Sequence, residues 1–171
     1  MIYEPREDSF LLLEYVKEYS KGKVLDLGCG SGILSKGALE ETKDVLGVDI
    51  NEEAVDYCKN QGINAIKSDL FENVKNKFDL IIFNPPYLPL DKNEDKDTRL
   101  LTTGGKKGDE IIGRFLKEAK NYLEDNGNIL ILFSSLSGDI LNLFKKYNYK
   151  FKLLKEKKLF FEMLYVYELT L

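Results

Sequence analysis

Short apolar runs alternate with helix-length amphipathic stretches through most of this chain. The runs Val24–Leu27, Val45–Asp49, Asn64–Lys67, Asp79–Phe83 and Asn128–Phe133 are nearly continuous in hydrophobic residues. Runs of that length and composition fit strands covered on both faces. Between them, about Ser31–Glu41, Glu52–Asn60, Asp109–Glu124 and Ser137–Tyr147 carry helical spacing. Strand-helix alternation of this kind predicts an α/β fold with a mostly parallel sheet and helices on both faces. The end of the chain differs. Tyr149–Leu154 and Leu159–Leu169 are two apolar-aromatic runs joined by Lys155-Glu156-Lys157-Lys158. They lie too close for a crossover helix, so they are expected to form an antiparallel hairpin. The 171 residues suit one domain spanning 1–171, with neither repeats nor low-complexity tracts.

Leu88–Gly108 breaks the rhythm, being polar and glycine-bearing, with no period. Connections in such folds usually run about 2–6 residues, and longer ones tend to be functional. This segment is expected to be a mobile lid, with Gly104, Gly105 and Gly108 as its hinge.

Composition narrows the chemistry. Formal net charge is −4 and histidine is absent, which excludes imidazole bases and histidine triads. With only Cys29 and Cys58 besides, no metal site is expected. The acidic balance argues against a broad nucleic-acid footprint. A charged N-terminus and the lack of a membrane-length apolar run point to a soluble, cytoplasmic protein.

The candidate chemistry sits at strand ends. Val24–Gly32 reads VLDLGCGSG, with Gly28, Gly30 and Gly32 spaced G-x-G-x-G. Glycines allow a sharp turn and close backbone approach to a ligand. A dinucleotide fingerprint would place its last glycine where Ile33 stands. Asp26, just before the loop, would repel a pyrophosphate and accept hydrogen bonds from an ammonium group. The ligand is therefore expected to carry a positive charge as well as an adenosine. Asp49 ends the second strand and can take two ribose hydroxyls. Asp69 follows the third and can accept from an adenine amino group.

These features resemble the class I S-adenosylmethionine-dependent methyltransferases. The resemblance implies a Rossmann-like seven-stranded sheet of order 3-2-1-4-5-7-6, closed by the antiparallel hairpin. It places Asp26 and Gly28 beside the cofactor's methionine part, Asp49 at its ribose, Asp69 with Leu70 at its adenine and Asn84 next to its sulfonium methyl, with Gly30 and Ile50 also among the cofactor-binding residues.

FNPPY, residues 83–87, ends the fourth strand. An amide or aromatic amino nitrogen is a poor nucleophile, because its lone pair is delocalised. Acceptors aimed at its N–H groups localise that pair as a bond to the methyl carbon forms. The Asn84 side-chain oxygen and the Pro85 carbonyl are the candidate acceptors, and Tyr87 offers a flat face for a planar group. Prolines fix φ and stiffen the carbonyl's direction. The motif is similar to that of amino-methyltransferases acting on adenine, cytosine or glutamine.

With FNPPY, the stretches YEPREDSFLLLE (Tyr3–Glu14) and TGGKKG (Thr103–Gly108) resemble the HemK-like glutamine methyltransferases, in their short archaeal and eukaryotic branch. That implies methylation of the GGQ glutamine in a class I translation termination factor. It aligns Ser9 with a hydroxyl residue at the cofactor. It also implies a heterodimer with a small, often zinc-binding activator, because the chain has no room for the bacterial N-terminal helical domain. The activator is expected on the edge near Ile63–Lys67. An adenine amino-methyltransferase, a protein methyltransferase of broader specificity, a small-molecule methyltransferase and a non-catalytic scaffold stand as alternatives.

Overall fold

The structure is a computed structural model that describes residues 2–90 and 102–171. Its elements in chain order are α1 (Glu7–Tyr19), β1 (Lys23–Leu27), α2 (Ile33–Leu39), β2 (Asp44–Asp49), α3 (Glu52–Asn60), β3 (Ala65–Lys67) and β4 (Phe78–Phe83). Then follow α4 (Glu110–Ala119), β5 (Leu123–Ser134), α5 (Ile140–Lys146), β6 (Lys150–Lys158) and β7 (Met163–Thr170). The strands form one sheet of order β3-β2-β1-β4-β5-β7-β6, the expected order. β1 to β5 pair in parallel, while β7 runs antiparallel to both β5 and β6.

The continuous apolar runs have a simple cause: each central strand is buried on both faces. In β4 and β5, Ile81, Phe83, Ile129, Ile131 and Phe133 point into one core, shared with Ile112, Phe115 and Phe144 from α4 and α5. Their neighbours Leu80, Ile82, Leu130 and Leu132 point into the other, shared with Leu11, Leu12, Val16, Leu34 and Ala38 from α1 and α2. This is the period of two that strand geometry imposes. α4 buries Ile112, Phe115, Leu116 and Ala119, the i, i+3, i+4, i+7 stripe of an amphipathic helix. Phe115 stacks on Phe83 at 4.3 Å between centroids, tying that helix to the end of β4. α3 is capped by the Asn51 side chain, which accepts the Glu53 N–H at 3.0 Å.

Four expectations need correction. The N-terminal stretch forms α1, which the strand-helix reading omitted. The helix expected over Asp109–Glu124 stops at Ala119, because Leu123 already pairs with Phe78. Lys155–Lys158 is not a linker: it belongs to β6, and the turn lies at Leu159–Glu162, closed by Leu159 N–H donating to the Glu162 carbonyl at 2.8 Å. β6 is the outer edge strand and almost wholly exposed, so it carries no alternation that pattern reading can detect. Lysine on an exposed edge also discourages pairing with other chains. Finally, Ile63 is not an exposed edge residue. It is 2% exposed and packs with Cys29, Val55, Cys58 and Ala65.

That small cluster explains the last glycine of the loop. Gly32 has φ +74°, and a Cβ there would lie 2.5 Å from Ile63 Cδ1 and 3.0 Å from Cys58 Sγ. Gly32 thus serves close packing of α3. Gly32→Ala adds left-handed backbone strain to overpacking and should destabilise the fold by about 2–4 kcal/mol. Urea denaturation checks this; an unchanged midpoint would contradict it.

Candidate active site

The register of the parallel ladder builds the site. Leu27 is level with Val48 on one side and Phe83 on the other. The next residue on each strand is Gly28, Asp49 and Asn84. The three therefore stand in a row at the carboxyl end of the sheet, where open α/β sheets bind their ligands. A cavity of about 450 Å³ opens there, a normal size for a small-molecule site. Its walls include Ser9, Gly28, Gly30, Asp49, Ile50, Asp69, Leu70, Asn84, Pro85 and Tyr87. Of the residues expected at the site, the structure thus brings together all but Asp26.

The glycine loop is held by β2. The N–H groups of Gly28 and Cys29 donate to the Val48 carbonyl at 2.7 and 2.9 Å, and Gly30 N–H donates to Asp49 Oδ2 at 2.9 Å. Asp49 Oδ1 accepts the Asn51 N–H at 2.8 Å. A carboxylate offers about four lone-pair sites, so both oxygens keep capacity for hydroxyl donors. Burial raises the Asp49 pKa, and those backbone N–H groups pull it back down. Ile50, 50% exposed on the wall, gives an apolar surface beside this carboxylate. A ligand with vicinal hydroxyls and an aromatic base matches this pair of acceptor oxygens and the apolar wall beside it.

Asp26 departs from expectation. It is fully buried and does not line the cavity. Ser35 Oγ donates to its Oδ2 at 2.6 Å, while Oδ1 has no partner. Burial, in the face of the Ser35 hydrogen bonds, pushes its pKa up to about 6.

Asp69 is already engaged: Arg114 donates to its Oδ2 at 2.9 Å. Leu70 has φ +47°, a left-handed conformation rarely adopted by a residue with a branched side chain. Backbone strain of this sort collects at binding sites. Ser9 is not a helix cap. Arg6 occupies the N-cap of α1, and Ser9 lies inside the helix, 3% exposed, at the cavity wall.

At the FNPPY segment, Asn84 Nδ2 donates to Asp8 Oδ2 at 3.0 Å. Asn84 Oδ1 is buried and has no partner. The Tyr3 hydroxyl donates to both Asp8 oxygens at 3.0 Å. Burial, then the Asp8 charge, raise the Tyr87 pKa and keep its phenol neutral. Gly28 lies against this segment: a Cβ there would meet the Asn84 carbonyl oxygen at 4.0 Å. Sequence reasoning missed Tyr3 and Asp8 as site residues, although both fall in the YEPREDSF stretch.

The expected lid lies mostly outside the described residues, at 91–101. Its described ends are tied together, with Leu88 N–H donating to the Thr102 carbonyl and Gly104 N–H to the Leu88 carbonyl, each at 2.9 Å. Gly104 and Gly108 serve close packing there. A Cβ on Gly104 would lie 2.7 Å from the Pro86 carbonyl oxygen, and one on Gly108 2.5 Å from that of Tyr87.

Asp26 yields a pH prediction. Its folded pKa of about 6 exceeds the ordinary carboxylate value. The stability it contributes is therefore fully present below about pH 4 and lost as pH rises through 6. Asp26→Asn keeps an acceptor for Ser35 and removes the ionisation. Relative to wild type, it should gain roughly 3 kcal/mol between about pH 4 and pH 8. Urea denaturation of the ligand-free protein at both pH values measures this; an equal effect at the two would contradict it.

The chain is similar to several known proteins. The family described as methyltransferase small domain matches residues 7–160. A Methanocaldococcus jannaschii protein with the provisional name protein N5-glutamine methyltransferase is 42% identical over 176 residues, covering 96% of this chain and 89% of that one. A release factor glutamine methyltransferase from Buchnera aphidicola is 30% identical over 165 residues; the match takes in 85% of this chain but 60% of that longer protein. Among solved structures, the E. cuniculi Mtq2–Trm112 complex, responsible for methylation of the eRF1 translation termination factor, superposes with a TM-score of 0.79. It is 26% identical and covers 99% of this chain and 98% of that one. With the family matched along most of its length and the strand-end cavity in place, this chain belongs to the small-domain methyltransferases.

Proposed function

We propose that this enzyme methylates the side-chain amide nitrogen of a glutamine in a class I translation termination factor, the GGQ glutamine, in the cytoplasm. The observation that carries the reading is Asn84 Oδ1, a buried acceptor with no partner, on the same cavity as Asp49 and Tyr87. A buried oxygen left bare is unfavourable by about 1–3 kcal/mol, and an incoming N–H removes that penalty. The relatives named for glutamine and release factor methylation support the choice of substrate.

S-adenosylmethionine, when bound, supplies an electrophilic methyl group on a sulfonium. Asp49 with Ile50 would hold its ribose and adenine end, Asp69 and Leu70 the base, and the backbone of Gly28 and Gly30 its amino acid part. Ser9 also lines the cavity. Asp26 would act at one remove, through Ser35 of α2, the helix that follows the glycine loop. The substrate amide lies flat on Tyr87, with its two N–H groups shared between Asn84 Oδ1 and the Pro85 carbonyl. Both acceptors are fixed before substrate arrives, so little reorganisation remains for the reaction itself. As the nitrogen–carbon bond forms, the carbon–sulfur bond breaks to leave a neutral thioether, and the nitrogen releases one proton to solvent; none of these groups is a strong base, in keeping with a sequence that has no histidine.

The rim of the cavity suits a protein. Leu159 and Glu162 line it, and between them Phe160 and Phe161 are 94% and 86% exposed. Apolar side chains at such a mouth are matched by the surface of a folded substrate. A small activator protein is the second partner, and the Trm112 subunit in the E. cuniculi complex supports this. β3 is the sheet edge it would extend, with three residues and, among the described residues, no strand on its outer side. Because Ile63 is buried, Ile63→Asp would damage the core; Ile66, half-buried, is the residue that tests this edge.

Incubated with labelled S-adenosylmethionine and its activator, the enzyme should label termination factor and leave a DNA duplex unlabelled. Labelling of DNA alone would overturn the reading. Asp49→Ala should weaken cofactor binding at least about tenfold by calorimetry, from loss of charge-assisted hydrogen bonds of roughly 1.5–3 kcal/mol. Asn84→Ala should bind cofactor normally and lose most turnover, about 10²-fold or more. Wild-type turnover in Asn84→Ala would remove that residue from the chemistry.

A further inference from the structure

We propose that Asp8 is a positioning residue that fixes which end of the Asn84 amide faces the methyl acceptor. The inference rests on the reading that Asn84 receives an N–H of that acceptor. An amide side chain has a donating end and an accepting end of nearly the same shape. Turned one way, Asn84 would welcome an incoming N–H; turned the other way, it would oppose it. An ionised carboxylate accepts hydrogen bonds and cannot donate them. Asp8 Oδ2, 3.0 Å from Asn84 Nδ2, therefore admits only the donating end of Asn84. The oxygen is turned away from Asp8 and is the atom left buried without a partner.

The rest of the arrangement keeps Asp8 in place. It is 4% exposed, in the first turn of α1. No lysine or arginine forms an ion pair with it among the described residues. Its contacts are neutral donors instead: the Tyr3 hydroxyl on both oxygens at 3.0 Å and Ser9 Oγ on Oδ1 at 3.5 Å. A cation there would offer the carboxylate a stronger partner than an amide and compete for Oδ2. The two hydroxyl donors, Tyr3 and Ser9, leave room on Oδ2 for Asn84. Burying a carboxylate without a cation is unfavourable for folding. The position is therefore better explained by a demand for an acceptor beside Asn84 than by stability.

Reversing the polarity of the pair tests this. In Asp8→Asn, Tyr3 and Ser9 hold the new oxygen and the new NH2 group takes the place of Oδ2. Asn84 must then turn its oxygen to position 8 and its NH2 into the cavity. In Asn84→Asp, two carboxylates face each other. In the double variant, Asn at 8 donates to Asp at 84, whose second oxygen faces the cavity as an acceptor again. Each single variant should lose about 10²-fold in kcat on termination factor with cofactor affinity near wild type; the melting temperature should hold in Asp8→Asn and fall in Asn84→Asp, where two buried carboxylates repel. The double variant should recover to within about tenfold of wild type. Full kcat in Asp8→Asn, or a double variant no better than the worse single one, overturns the inference.

A readout independent of turnover separates this inference from the proposed function. In NMR spectra of the ligand-free protein, the Asn84 side-chain NH2 should show one proton shifted downfield by the carboxylate, and Asp8→Asn should abolish that shift. Asn84 resonances unchanged by Asp8→Asn overturn the inference whatever the enzyme methylates. A wild-type enzyme that leaves termination factor unlabelled, with the NMR change present, overturns the choice of substrate alone.

Discussion

The pairing of β1 with both β2 and β4 is the constraint on which the site depends. Because all three run parallel and in register, Leu27, Val48 and Phe83 end level with one another. The residues that follow, Gly28, Asp49 and Asn84, stand side by side without any further device. A slip of one residue in β4 would send Asn84 to another level and exchange its inward and outward side chains. The two cores prevent that slip, since Ile81 and Phe83 serve one and Leu80 and Ile82 the other. Packing far from the cavity thus fixes the geometry within it.

Around this row, the chain accepts several local penalties. Leu70 is held at a positive φ, Asp26 and Asp8 are buried carboxylates, and Asn84 Oδ1 is buried and bare. Each is a departure from what stability alone would choose, and all four cluster at the carboxyl end of the sheet. That is the pattern expected where structure is held ready for a ligand. Gly32, Gly104 and Gly108 belong to a different class. Their role is steric, letting α3 and the segment after Tyr87 come close to the loops that form the cavity.

Much of this was legible in the sequence. The central strands announced themselves because burial on both faces forces unbroken apolar runs. Asn84, Tyr87 and the glycines were visible because their spacing is local. β6 was partly hidden, since an exposed lysine-rich edge strand has no apolar face to betray it. α1 was hidden by its own function: two buried polar residues, Asp8 and Ser9, interrupt its apolar stripe. The contact between Asp8 and Asn84 spans 76 residues of sequence and leaves no local trace. The side-chain partner of Asp26 was hidden for a related reason. The place of Asp26 before the glycines marks the loop, but only the fold shows that its side chain meets Ser35 of α2.

The central claim is that Asn84 offers its oxygen to the nitrogen that becomes methylated. A crystal structure of the enzyme with S-adenosylhomocysteine and a glutamine-containing termination factor fragment tests it directly. The account predicts Asn84 Oδ1 about 3 Å from the glutamine amide nitrogen, with Nδ2 still on Asp8. A glutamine whose nitrogen is held away from Asn84, or which meets the Asn84 NH2 group instead, would contradict it.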